Sequence, residues 1–427
     1  MKSKIIIQFN EANFDLIEKY VLNHNLPGFK KILDFKSKIN TFSEQEYSHL
    51  EPWIQWYSFY TGKTYSEHKV FHLGDCNLYD HEIFTEEFAK KDNAVGIFGS
   101  MNLKYSQRYK IFLPDAWTNT KTDKSYSSIL VSKVLKQIIN KNTNLRVSLF
   151  DIIGILMMVG IPKNFYEFKK IFDSLVAFIN KDRTRLASLF DCFFLNYSLR
   201  RLKRNKLNLS LIFLNGFAHI QHHFMLSSKF VEGNNPDWYI KGEIDPIYEA
   251  LKIYDETFYS ILNEYSNQYE FWIITGLTQQ PYRKPKVYWR LKDPANVIEY
   301  FTGVKLEVNK RMSRDFELLI ANEEDAYDVL NFLKEAYVIK NNKKSPAFGF
   351  IDQTSDSSIF SSFIYGEIES DFIIAYKDLK LHMKNKVDFV ALKNGKHCEK
   401  GWAFTNCIKN NSVSTVSISK LSNEIVN

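Results

Sequence analysis

Five times along this chain a short apolar run stops at a polar or glycine turn, and no other feature constrains the fold as tightly. Ile5–Phe9 ends at Asn10-Glu11, Ala94–Phe98 at Gly99-Ser100, and Leu209–Leu214 at Asn215-Gly216. Phe271–Thr275 ends at Gly276, and Val387–Leu392 at Asn394-Gly395. Continuous apolar runs bounded by turn signals read as strands buried on both faces. Between them lie helical stretches such as Phe14–Tyr20 and Asp245–Leu262, where apolar residues recur every three or four positions. Strands alternating with helices predict an α/β fold, a mainly parallel sheet with helices on both faces. Open sheets of this kind place ligands at the carboxyl ends of their strands. Asn10, Gly99, Asn215, Gly276 and Gly395 are therefore expected to meet along one edge.

The rhythm lapses between residues 125 and 205, which are helix-rich and carry the basic run Arg200-Arg201-Leu202-Lys203-Arg204. We read this span as a helical insertion, a cap over the sheet edge, between core segments 1–124 and 206–427. A small α+β excursion is expected at about 304–350, with an amphipathic helix near Asp325–Tyr337. The longest apolar stretch, Leu149–Ile161, is shorter than the ~20 residues of a spanning helix. It contains Asp151 and stops at Pro162, so a buried helix is expected, with peripheral membrane contact as the other reading.

Composition narrows the function classes. A hydrophobic fraction of 45% with 15% aromatics belongs to a folded chain, and the net charge of +7 suits an anionic small-molecule or glycan substrate. No zinc-finger, helix-turn-helix or RNP pattern accompanies the charge, which argues against nucleic acid. The four cysteines lack metal-site spacing and read as free thiols of a reducing compartment. Lys2 and Lys4 lead into an apolar run too short for a signal peptide, so a cytoplasmic protein is expected.

Chemistry concentrates in LSLIFLNGFAHIQHHF, where His219, His222 and His223 follow a strand end. Imidazoles grouped there point to a metal or a proton-transfer site. Glu51, set between aromatic residues and Pro52, is an unusual place for a solvated carboxylate, and His397 lies in a turn between Gly395 and Gly401. His68 reads mainly as a packed structural histidine after the Thr61-Gly62 turn.

In order, these strand ends resemble the alkaline phosphatase superfamily, in particular its type I phosphodiesterase/nucleotide pyrophosphatase branch. QFNEANFDLI resembles its first strand, EPWIQWYSFYTGKTYSEHKVF its nucleophile segment, and AHIQHH its Asp-His-x-x-His metal motif. IITGLTQ stands where the family has Ser-Asp-His-Gly, and NGKHCEKGWAF resembles the closing segment with the last histidine ligand. The departures are systematic. Asn10 stands for the first aspartate, Glu51 or Pro52 for the nucleophile, Ala218 for the second aspartate, and Gly276 and Leu277 for the Asp-His pair. Two-metal phosphoryl transfer needs two ligand sets and an activated hydroxyl, so conventional two-metal phosphodiesterase activity is not expected.

Two readings stay open. His222 and His397 with a carboxylate, Glu11 or Glu51, make a two-histidine, one-carboxylate site for one divalent metal: zinc, manganese or iron. Alternatively no metal is bound, and Glu51 acts as general base with His222 as its partner. Asn10, Glu11, Trp56, His219, Gln279 and Arg290 are the expected ligand-binding residues. Trp53 and Trp56 could stack on a sugar, Gln279 could read its hydroxyls, and Arg290 or the Arg311–Arg314 pair could clamp a phosphate. With the basic balance and the Gln-rich strand end, the expected function is hydrolysis or group transfer on a phosphorylated or nucleotide-activated carbohydrate, in surface-glycan assembly. The alternative is a catalytically silent, ligand- or partner-binding member of the fold.

Overall fold

The structure, a computed structural model, describes residues 2–140, 149–162, 165–179, 182–310, 314–355, 357–408 and 415–426. It divides into two compact units. The first comprises Met1–Glu232, Gly242–Pro281 and Gly395–Asn427, and the second Gly233–Lys241 and Tyr282–Asn394.

The first unit is built on an eight-stranded sheet. In spatial order its strands are Thr415–Ser417, Ser37–Phe42, Lys400–Thr405, Glu270–Ile274, Lys4–Phe9, Leu209–Leu214, Val95–Phe98 and Ile111–Leu113. The last five are mutually parallel, and Lys400–Thr405 alone runs against its two neighbours. Lys4–Phe9 lies at the centre, with Ile6 level with Leu211 on one side and Trp272 on the other. Every residue of that strand is buried, because both faces of the sheet are covered. Ile5, Ile7 and Phe9 enter one apolar cluster with the helices Phe14–Asn23, Arg183–Asn205, Gly216–Phe224 and Pro246–Tyr265. Ile6 points the other way, into a cluster with Trp56, Tyr57, Phe59 and Tyr60 of the helix Pro52–Thr61. Fully burying such a side chain is worth about 1.5–3 kcal/mol, and this two-sided demand explains the uninterrupted apolar runs.

Four of the five expected strands lie side by side in this sheet and bring Asn10, Gly99, Asn215 and Gly276 to one edge. The fifth does not. Val387–Cys398 pairs with Thr278–Leu291 in a two-stranded ribbon, and Lys400–Thr405 takes the place in the sheet. Exposed Asp388 and Phe389 alternate poorly with a core, which an apolar count over the run does not register.

Helices Tyr126–Asn140, Leu149–Val159, Phe165–Ile179 and Arg183–Asn205 account for the span 125–205. Their buried residues Val131, Val134, Met158, Leu195 and Leu202 share the first unit's apolar cluster. The second unit spans more than the 304–350 excursion. It holds two four-stranded sheets and the helices Pro294–Thr302 and Glu323–Glu335 around Phe301, Phe332, Phe348 and Phe363. Among the described residues no helix is long and apolar enough to cross a membrane.

Candidate metal centre

At the end of the central strand the backbone makes one more ladder contact on each side and then turns. Asn10 N–H donates to Leu214 O (3.0 Å) and Glu11 N–H to Thr275 O (3.0 Å). Glu11 then adopts a left-handed conformation, with φ of 58°. A non-glycine residue there is uncommon and is held by its surroundings. Gln221 Nε2 donates to Glu11 O (2.8 Å), Asn13 N–H to Gln221 Oε1 (2.9 Å), and Asn13 Nδ2 to Gln279 O (2.7 Å). Asn13 also caps the helix Phe14–Asn23 by accepting from Leu16 N–H.

These amides aim the Glu11 carboxylate, which is 3% exposed. Oε1 accepts from Asn10 Nδ2 at 2.9 Å and Oε2 from Gln279 Nε2 at 2.6 Å. Asn10 has no freedom to flip, since its Oδ1 accepts from Trp56 Nε1 (2.8 Å) and its Nδ2 also donates to Asn215 Oδ1 (2.8 Å). Gln279 is fixed likewise, with a second bond from Nε2 to Ala218 O (2.9 Å).

Two imidazoles face the same carboxylate oxygen. His222 Nε2 lies 3.0 Å and His397 Nε2 3.3 Å from Glu11 Oε2. One ligand atom from each of the three residues falls within 4.8 Å of the others. His222 Nδ1 is 3.2 Å from Gly395 O, and His397 Nδ1 is 3.6 Å from Glu51 Oε2. Both neighbours of the ring are acceptors, so an imidazolium donates to each, while a neutral ring with its proton on Nδ1 leaves the Nε2 lone pair for a cation beside Glu11. Metal-binding histidines are oriented in this way, with the outer nitrogen on a carbonyl or carboxylate. Burial alone would raise the Glu11 carboxyl, but the imidazoles of His397 and His222 outweigh it and hold the group well below the usual carboxylate range. The cluster therefore calls for positive charge at its centre, from imidazole protons or from a cation.

The donor set fits a metal. A tetrahedral ion with ligands at about 2.0–2.1 Å has ligand atoms roughly 3.3 Å apart, and the two contacts on Glu11 Oε2 are 3.0 and 3.3 Å. Two imidazoles and one carboxylate suit zinc, iron or manganese, with coordination positions left for water or substrate.

Helix Gly216–Phe224 presents His222 from a tightly seated first turn. A Cβ on Gly216 would come within 2.6 Å of Ala187 O and 2.7 Å of Tyr254 Oη. Asp191 accepts from Gly216 N–H (2.7 Å) and Tyr254 O–H (2.7 Å), and burial pushes its carboxyl up to about 7.

On the other side of Asn10 the indole of Trp56 packs against Gly276. Trp56 is 0% exposed, and a Cβ on Gly276 would lie 3.0 Å from its Cζ2. Gly276 also has φ of 73°, and Leu277 is buried. A side chain at position 276 would crowd this indole, which would have to give by a few tenths of an ångström. Asn10, Trp56 and Gly276 thus form a hydrogen-bonded, packed arrangement beside Glu11.

The expected site residues divide accordingly. Glu11, His222 and His397 converge, with Glu51, its side chain 34% exposed, beside His397. Glu51 precedes the helix Pro52–Thr61 without capping it through its side chain. Asn10 and Gln279 are interior and orient Glu11, so neither is placed to read sugar hydroxyls. Trp56 is also interior and offers no stacking face, and Trp53 Nε1 is spent on Phe71 O (2.7 Å). His219 is exposed and packs against His223, with ring centroids 4.5 Å apart, while the ring of His222 faces that of His397. Helical spacing separates the two pairs: residues 219 and 223 lie one turn apart and about 40° around the axis, whereas 222 is turned about 60° to the other side of 219. Arg290 belongs to the second unit, near Arg314 and Asp315, and Arg311 lies outside the described residues. His68 is structural. Its Nδ1 accepts from Val70 N–H (3.0 Å), Nε2 meets Ser58 Oγ (3.0 Å), and burial lowers it to about 4. Sequence reasoning missed Asn13, Gln221 and Asp191. Asn13 had a visible signal as a cap two residues after Glu11, whereas Gln221 was hidden among the histidines.

Fold and site together define an α/β protein with a candidate single-metal centre at the carboxyl edge of its sheet. The chain is similar to several solved structures. Human ectonucleotide pyrophosphatase/phosphodiesterase 5 matches at 9% identity and a TM-score of 0.42, over 99% of this chain and 94% of that one. Phosphonoacetate hydrolase from Sinorhizobium meliloti matches at 8% identity and 0.46, over 100% and 95%. Alkaline phosphatase PafA matches at 11% identity and 0.46, over 98% and 94%. No family model and no curated protein matches the sequence.

Proposed function

We propose that this chain is a single-metal hydrolase or group transferase acting on a phosphorylated substrate. The observation that carries this reading is the convergence of Glu11, His222 and His397 at a strand-end edge, with outer nitrogens turned to Gly395 O and Glu51. A divalent ion held by such a set supplies Lewis acidity and lowers the pKa of bound water toward neutrality. The chain's own residues orient the site. Asn10 and Gln279 fix the carboxylate, Gly395 O holds the outer nitrogen of His222, and Glu51 is a partly exposed carboxylate beside His397. The net charge of +7 supports an anionic substrate. A nucleotide-activated carbohydrate of surface-glycan assembly is the narrower proposal, and it now rests on charge, because Trp56 and Gln279 are interior.

The test is hydrolysis and transfer on a panel of phosphomonoesters, phosphodiesters and sugar nucleotides, before and after chelation and with zinc, manganese or iron restored. Turnover that follows the metal and is lost in His222→Ala supports the proposal. A second reading, a catalytically silent binding member, draws on Trp56 packing against Gly276 and on Glu51-Pro52 standing where a hydroxyl nucleophile would be. Stoichiometric metal with no turnover on any of the panel would favour it.

A further inference from the structure

A second feature lies on the helical span of the first unit, away from the metal centre in sequence. Ile155 (40% exposed), Leu156 (61%), Ile161 (90%), Phe168 (58%) and Phe172 (59%) put five large apolar side chains in water between residues 155 and 172. Monomeric soluble proteins seldom concentrate exposed apolar groups in this way without a use for them. Leu149–Ile161 is thus not the buried helix that its composition suggests. Its inner side is already packed: Met158 is 2% exposed, and Gly154 abuts Val134 of the helix Tyr126–Asn140. The outer residues are surplus to that packing.

Basic charge is fastened to the same place. The Arg200 guanidinium donates to Met157 O and Met158 O, at the end of the helix that leads into Ile161. Arg201, Lys203, Arg204 and Lys206 follow, and no acidic residue occurs from Cys192 to Lys206. Lys203 and Arg204 are exposed, as is Lys169 beside Phe168. Among the described residues, Glu264 approaches Lys203 at 3.9 Å and Asp173 approaches Arg185 at 4.0 Å.

We propose that this surface, the outer sides of Leu149–Val159 and Phe165–Ile179 with the basic end of Arg183–Asn205, docks on an anionic lipid bilayer. Aliphatic and phenyl groups flanked by arginine and lysine match the two layers of an anionic membrane boundary, acyl chains below and phosphate headgroups above. A lone apolar patch would suit any partner, but the attached basic run selects an anionic one. No described helix can cross a membrane, so the contact is interfacial.

The test is co-flotation of the full chain with phosphatidylcholine vesicles and with vesicles containing about 30% phosphatidylglycerol, at low and high salt. We expect binding to the anionic vesicles at least ~10-fold above the neutral ones, weakened by salt. Leu156→Asp/Ile161→Asp and Lys203→Glu/Arg204→Glu, all at exposed positions, should each reduce it about tenfold. Unchanged circular dichroism and metal content would show that these variants are folded. The proposal is overturned if the parent does not bind anionic vesicles, or if both variants bind as the parent does. It is also overturned if light scattering shows a dimer that Leu156→Asp/Ile161→Asp dissociates, because a second copy is then the occupant.

Discussion

Glu11→Gln keeps the shape of the side chain and removes its charge, and the surroundings make this a harsh change. One glutamine terminus must be an NH2. If it replaces Oε1 it faces Asn10 Nδ2, a donor that cannot turn away because Asn10 Oδ1 is held by Trp56 Nε1. If it replaces Oε2 it faces Gln279 Nε2, whose orientation is fixed by Ala218 O, and both imidazoles. Either way two buried donors oppose each other, at about 1–3 kcal/mol for the bond lost. The anionic ligand is lost as well. Orienting residues around a metal ligand are worth 10–100-fold in affinity, so removing the ligand itself should cost at least about 100-fold. Glu51→Gln, at a partly exposed side chain 3.6 Å from His397, should cost about tenfold or less in affinity and leave stability unchanged. Metal titration by calorimetry and urea unfolding of the metal-free chains would measure both effects. A Glu11→Gln chain with the parent's stability and metal affinity would show that Glu11 is neither a metal ligand nor an essential buried acceptor.

Three further outcomes follow from the same geometry. Trp56→Phe should lower stability by about 1–3 kcal/mol in urea unfolding, because the buried Asn10 Oδ1 loses its donor. Gly276→Asp should not create a second metal site, since φ of 73° and the Trp56 ring oppose a side chain there. Elemental analysis is expected to give no more metal than the parent holds, with a less stable chain. Asp191 has a folded pKa of about 7, above its ordinary 3.8, so the stability tied to its proton is complete below about 3.8 and lost as pH rises through about 7. Asp191→Asn should flatten that decline, read as unfolding midpoints across the window, and an unchanged pH profile would remove Asp191 as its source.

The sheet was legible because burial on both faces leaves an apolar run that a single sequence cannot disguise. Four strand ends could be placed on one edge from their turns alone. Val387–Leu392 looked the same in composition, and only its pairing with Thr278–Leu291 separates it from the sheet. Within the site, His222, His397 and Glu11 could be picked out by residue type at strand ends. Their supports could not, because Asn10, Gln279 and Trp56 look like ligand-binding residues until their partners are known. Each is consumed by an interior hydrogen bond over a sequence separation that no local pattern encodes. The apolar stretch Leu149–Ile161 failed for a related reason, since hydropathy reports how apolar a helix is and not which side the fold leaves uncovered.

Whether Glu11, His222 and His397 hold one metal ion can be read from X-ray absorption on the zinc-loaded chain. The expected spectrum has a four-coordinate ion with about two imidazoles in its first sphere and Zn–N/O distances of about 2.0–2.1 Å. In a His222→Ala/His397→Ala chain the imidazole scattering should disappear together with stoichiometric zinc. Failure of the parent to retain zinc, or an unchanged spectrum in that variant, would contradict a metal held by these residues.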